Sequence, residues 1–205
     1  DNKNLLNFFN GMNELVLKML SALMIIAPIG IFCLISKTFA TQGLSSILEL
    51  LKYFLGVVLV IFTHFIIVYI PLVRFLGRID IKTFVNGIKQ IVLFAFSTSS
   101  SSATIPVTLQ NLNKNFNVKS KISSFTVPLG ATINMDGTAI MQGMATIFIA
   151  NIYNIDLLFS DFLSIILTAT LASVGTAGVP GVGIIMLGMV LNQVGLPLEG
   201  IAIVI

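Results

Sequence analysis

The chain has 205 residues, 56% of them hydrophobic and 9% charged, with a mean hydropathy of +1.03. Soluble domains carry about 25% charged residues, so the composition excludes an ordinary soluble protein and indicates a membrane protein. Its net charge is +3, but 11 Lys and Arg spread thinly over loops form no basic stripe, which excludes a nucleic-acid partner. Cys33, the only cysteine, lies in an apolar run and offers neither a disulfide framework nor a metal cluster. The chain opens at Asp1 without a signal-peptide pattern and stops within an apolar run after Gly200, so it reads as a fragment.

In chain order, residues 15–35 supply the roughly 20 residues that a bilayer span needs, with Pro28 and Gly30 as kink points. Residues 36–52 form a polar connector turning at Thr41-Gln42-Gly43, and residues 53–73 a second span. His64, in mid-span, is read as a neutral histidine bonded to a backbone carbonyl. Arg74, Arg78 and Lys82 mark a basic exit.

Two short apolar arms follow at 84–96 and 103–112, joined by the polar run 97–102. Neither is long enough to span, so residues 83–112 read as a re-entrant helical hairpin with a serine tip and Pro106 in the first turn of its second arm. Residues 122–150 form a span interrupted by Gly130, Asn134, Asp136 and Gly137. Residues 161–194 repeat the hairpin pattern, with arms at 162–172 and 183–194 around a flexible tip at 173–181, before a truncated last helix.

Arg74, Arg78, Lys82, Lys89, Lys114, Lys119 and Lys121 flank the first hairpin, while the loops at 151–161 and 195–200 carry no Lys or Arg. By the positive-inside rule the first hairpin enters from the cytoplasm and the second from outside. The fold class is therefore an all-α membrane protein in which transmembrane helices accompany two opposed re-entrant hairpins, an inverted repeat. Paired interrupted segments of this kind point to a transporter's binding site.

Asp136 in apolar surroundings calls for a partner, and the nearest Lys or Arg in sequence is Lys121. A transported cation would fill that role. On a regular helix Asn134 and Asp136 would point about 200° apart, so they share a site only if the chain unwinds, which Gly130 and Gly137 would permit. Freed carbonyls, an amide, the Thr132 and Thr138 hydroxyls and a carboxylate are hard oxygen donors suited to Na⁺, with a protonated Asp136 as the competing use. Helix N-termini after the hairpin tips favour a carboxylate, so an anionic or zwitterionic substrate accompanies the cation.

Three runs carry a resemblance: SSSSATIPVT (99–108), PLGATINMDGT (128–138) and ASVGTAGVPG (172–181). Together they strongly resemble the dicarboxylate/amino acid:cation symporter family, the glutamate transporter homologues. The match covers essentially the whole chain, from the family's fifth transmembrane helix to just before its eighth. It implies an elevator-type fold, with residues 1–49 a scaffold-type helix and connector and residues 50–205 a transport domain. It also implies that Ser99, Ser101, Thr138, Val179 and Gly183 hold substrate. Gly130, Asn134 and Asp136 would line sodium sites in the broken helix, and Thr132 with Ser173, Val174 and Thr176 another, closed by the second hairpin as gate.

The activity implied is sodium-coupled symport of an acidic amino acid or C4-dicarboxylate by a homotrimer, multi-pass in the cell membrane. Sodium would be co-substrate with no other cofactor, and the protein would not be an enzyme. Some members carry an arginine where this chain has Ser99. The eighth helix, which reads the substrate, is absent, so a neutral amino acid stays open as substrate. The Asn-Met-Asp-Gly-Thr form favours sodium over protons. An ion channel with re-entrant loops is the rival class. An intramembrane hydrolase would need a second acid or a base, for which only His64 is available.

Overall fold

The computed structural model describes residues 45–204 and separate positions between 4 and 40, and all secondary structure among them is helical. The chain divides into two compact units, one ending at Leu48 and the other covering Glu49–Val204. In the first, every described position from Asn4 to Ala40 is helical, including Ser36 and Ala40 of the expected connector. The Thr41-Gln42-Gly43 turn lies outside the described residues.

Helix α1, Ser45–His64, starts well before the expected span, and continues through two π turns, Phe65–Tyr69 and Leu72–Leu76. Pro71 stands between them and has no N–H to donate; local π geometry is one way a membrane helix absorbs that loss. Leu48–Leu76 is the one stretch among the described residues that is long and apolar enough to cross a membrane. Its 29 residues span about 43 Å at 1.5 Å each.

Helices α2, Ile81–Thr98, and α3, Ser101–Phe116, pack against each other as a hairpin. Asp80 starts α2 by accepting from the backbone N–H groups of Lys82 and Thr83 at 3.1 and 3.3 Å. The turn is only Ser99 and Ser100, shorter than the expected serine tip. Ser97 and Thr98 extend α2 because their hydroxyls fold back onto the Phe94 carbonyl, both at 2.9 Å. Pro106 lies in the second turn of α3 rather than the first.

Helix α4, Ser120–Ile133, packs on α3; α5, Asp136–Ile152, follows after a two-residue break. A second hairpin, α6 (Phe159–Val174) and α7 (Val182–Gln193), packs against α5, and a 3₁₀ turn at Leu198–Gly200 leads into α8, Ile201–Val204. The buried core sits here. Ala145, Ile149 and Ala150 of α5 meet Leu187 and Leu191 of α7, while Ile165 and Ala169 of α6 meet Val190. At 16 and 12 residues, α6 and α7 reach about 24 and 18 Å, short of the roughly 30 Å hydrocarbon layer.

Candidate functional site

Asn134 (φ −93°, ψ 64°) and Met135 (φ −101°, ψ 49°) make up the whole break between α4 and α5. The glycines expected to permit unwinding are helical, Gly130 in α4 and Gly137 in α5. A Cβ would find open space at Gly137 and ordinary contact, 3.6 Å from Asn134 Nδ2, at Gly130. The break belongs instead to Asn134, a residue type whose amide competes with helical backbone, and its N–H closes the last turn of α4 on the Gly130 carbonyl at 2.9 Å.

Asp136, first residue of α5 and half-buried, has partners inside the chain. Its Oδ2 accepts from the Tyr69 hydroxyl, and His64 Nε2 stands 3.4 Å from the same oxygen. The two rings meet edge to face, centroids 5.3 Å apart. This corrects two expectations: that Asp136 lacks a partner within the chain, and that His64 serves a backbone carbonyl. On an α-helix residues five apart diverge by about 140°. Phe65–Tyr69 is a π turn, whose i→i+5 closure lifts Tyr69 above His64.

The two hairpin tips meet. The Gly178 carbonyl accepts from Ser100 Oγ at 2.7 Å and from the Ser102 N–H at 3.0 Å. Ser100 is buried and also caps α3, accepting from the Ala103 N–H at 3.2 Å. Any side chain on Gly178 would crowd this joint, since a Cβ would lie 2.9 Å from Ser102 Oγ and 3.0 Å from Ser102 N. Ser99, beside it, is exposed in left-handed backbone (φ 48°), a conformation serine seldom adopts.

Other expected residues fall into place unevenly. Thr138 and Gly183 come together: a Cβ on Gly183 would be 3.1 Å from Thr138 Cγ2, so glycine is what lets α7 approach α5 there. Fully buried Gln142 adds a second tie, donating from Nε2 to the Gly183 carbonyl at 3.0 Å. Val179 lies in the second tip, its N–H bonded to the Ala177 carbonyl at 2.8 Å. Ser173 and Thr176 are buried, while Val174 is exposed. Thr132 is exposed on α4, its hydroxyl donating to the Leu129 carbonyl at 2.9 Å, and no hydrogen bond joins it to Ser173, Val174 or Thr176. Ser101 and Gly130 line one cavity of about 290 Å³ between α3 and α4.

Sequence reasoning passed over Tyr69, Ser100, Gly178 and Gln142. Ser100 and Gly178 sit inside runs already singled out, but which member of a repeated run meets its opposite depends on tertiary register. Tyr69 carries no signal when every helix is assumed to turn 100° per residue.

A carboxylate at a helix break, close-packed tips from two hairpins and hydroxyls whose protons are already bonded to backbone make a site for binding, with no nucleophile–base pair within it. Residues 1–205 match the sodium:dicarboxylate symporter family. Excitatory amino acid transporter 1 of Ambystoma tigrinum is 40% identical over 206 residues, covering 99% of this chain and 38% of the relative. The mouse protein of that name is 39% identical over 201 residues, covering 97% and 37%. An excitatory amino acid transporter of Caenorhabditis elegans is 36% identical over 203 residues, covering 98% and 40%. The chain therefore spans about two fifths of the length of these relatives. A match along all 205 residues, with hairpins and broken helix where its motifs fall, means that the chain belongs to the sodium:dicarboxylate symporter family, membrane transport proteins and not enzymes.

Proposed function

We propose that the full-length protein is a secondary active transporter that carries an acidic amino acid, or a C4-dicarboxylate, together with sodium. The observation that carries this reading is the junction of two helical hairpins, tip to tip, in a fold whose broken helix bears Asp136. The relatives' name, excitatory amino acid transporter, supports an acidic amino acid as cargo.

In this reading Ser99 and Ser101 meet substrate from the first hairpin, and Thr138, Val179 and Gly183 from the other side. Gly130, Asn134 and Asp136 hold sodium at the break; Thr132, Ser173, Val174 and Thr176 hold another, which the second hairpin covers. Sodium favours the closed tips because the closed form supplies more of its oxygens, and a ligand shifts a conformation only by such a difference in affinity. Both hairpins are re-entrant, dipping in from opposite faces of the cell membrane. The transport domain, residues 50–205, slides against a scaffold to which residues 15–35 belong, within a multi-pass homotrimer.

Uptake of labelled aspartate, glutamate and succinate into proteoliposomes under an inward sodium gradient tests the reading. Sodium-dependent accumulation is expected, and Asp136→Asn should abolish it. Accumulation by the variant at an undiminished rate would refute the ion-site assignment. One observation favours protons as a second reading: His64 stands beside Asp136. Uptake driven by a pH gradient without sodium would establish it.

A further inference from the structure

Along α3, Ser101, Thr104, Thr108 and Asn111 recur at steps of three, four and three, which puts them on one helix face. The first three line a cavity of about 290 Å³ whose opposite wall is Val127, Gly130 and Ala131 of α4. The protons of this face are committed elsewhere. Thr104 donates its hydroxyl to the Ser100 carbonyl at 2.7 Å, and Thr108 to the Thr104 carbonyl at 3.0 Å. What those oxygens retain is lone pairs.

Asn111 extends the pattern. It is only 5% exposed, and its Oδ1 has no hydrogen-bond partner, a state that costs about 1–3 kcal/mol unless a donor or cation fills it. On α4, buried Ser123 likewise sends its proton to a backbone carbonyl, that of Ser120 at 3.3 Å. Because α4 ends at Ile133, the carbonyls of Ala131, Thr132 and Ile133 take no backbone partner, and the negative end of the helix dipole lies beside the cavity wall. Oxygen acceptors with no free donor among them suit water and cations, and repel anions.

We infer that the seam between α3 and α4 is a hydrated cation passage, leading from the first hairpin's tip toward the α3–α4 connection; as a route for the co-transported ion it rests on the symport reading above. Ser101 and Asn111 are ten residues apart, about 15 Å along the axis, or half the hydrocarbon thickness. Lys114, Lys119 and Lys121 at the far end are exposed, and salt screens exposed charges beyond about 8–10 Å, so they leave the seam open to a cation. The passage bypasses the second hairpin. An ion could exchange with water on that side while the tips stay bonded.

The test places a single cysteine at Thr108 (Thr108→Cys) in full-length protein with Cys33 and any other cysteine replaced. Two methanethiosulfonate reagents of similar size are applied to inside-out vesicles, one an ethylammonium and the other an ethylsulfonate. The cationic reagent should react about tenfold faster or more, and sodium should slow it. No reaction with either reagent, or equal rates, would overturn the proposal. Asn111→Leu supplies a second readout, because a passage residue changes the rates of ion entry and exit together without changing equilibrium affinity. Slower exchange of labelled sodium at unchanged sodium affinity supports the passage; altered affinity with unaltered exchange contradicts it. Labelling needs no substrate. Selective cationic labelling in a protein whose uptake ignores sodium would keep the passage and remove the symport reading.

Discussion

Gly178→Ala is the sharpest perturbation of the joint between the hairpins. The added methyl would sit 2.9 Å from Ser102 Oγ and 3.0 Å from both Ser101 Cβ and Ser102 N. Two of these neighbours belong to the start of α3, so relief requires the tips to part rather than one flexible side chain to turn. Overpacking of this kind costs about 1–3 kcal/mol, and each hydrogen bond lost at the Gly178 carbonyl about 0.5–1.5 kcal/mol. A net shift of about 2 kcal/mol would move the ratio of closed to parted tips about 30-fold. Spin labels at Phe96 and Val174, both exposed, report the separation of the hairpins in full-length protein as a distance distribution. The variant should show a longer, broader population. Gly143→Ala is the control, since a Cβ there meets nothing within 4 Å and alanine favours the helix. An unchanged distribution in Gly178→Ala would mean that the two serine bonds do not decide closure.

Tyr69→Phe keeps the ring and removes the donor to Asp136; a drop in stability of about 1 kcal/mol should appear as earlier thermal unfolding in detergent, and unchanged unfolding would show that the bond contributes nothing. Ser99→Gly relieves left-handed backbone worth about 1 kcal/mol, whereas Ser99→Val strains it further. If Ser99 serves substrate through its carbonyl, Ser99→Gly should keep substrate affinity within about threefold, and loss of binding would implicate the hydroxyl instead. Gly200→Ala would bring a methyl within 2.5 Å of Cγ2 of fully buried Ile149, costing about 1–3 kcal/mol, which a thermal shift assay would register. No shift would mean that α8 moves away freely.

Much of this architecture was legible in the sequence because bilayer lengths leave few choices. Arms too short to cross on either side of polar runs announce hairpins, and an Asn-Met-Asp-Gly run inside an apolar segment announces a break. The limits of the tips were misread for a local reason. Ser97 and Thr98 look like loop residues, yet in apolar surroundings their hydroxyls satisfy themselves on the Phe94 carbonyl and prolong the helix. Gly130 and Gly137 looked like the origin of the break because glycine is permissive, but permission is not cause, and Asn134 with Met135 bends the chain between them. Partners of Asp136 were out of reach from any pairwise reading, since Tyr69 lies 67 residues upstream and faces it only through a turn of unusual pitch.

That pitch carries a consequence of its own. A π turn holds one residue more than the α turn it replaces, so α1 behaves past His64 as though a residue had been slipped into an otherwise regular helix. Length and side-chain identity there are then separable variables. Ile66 and Ile67 are 54% and 66% exposed, so exchanging either for another apolar residue should be nearly silent. Deleting Ile67 instead would let the helix close as α and turn everything beyond it by about 100°. The Tyr69 hydroxyl would leave Asp136, and Arg74 would emerge on a different side of the helix. Comparing the unfolding temperatures of the substitution and the deletion would show whether this span is specified by what its residues are or by how many there are.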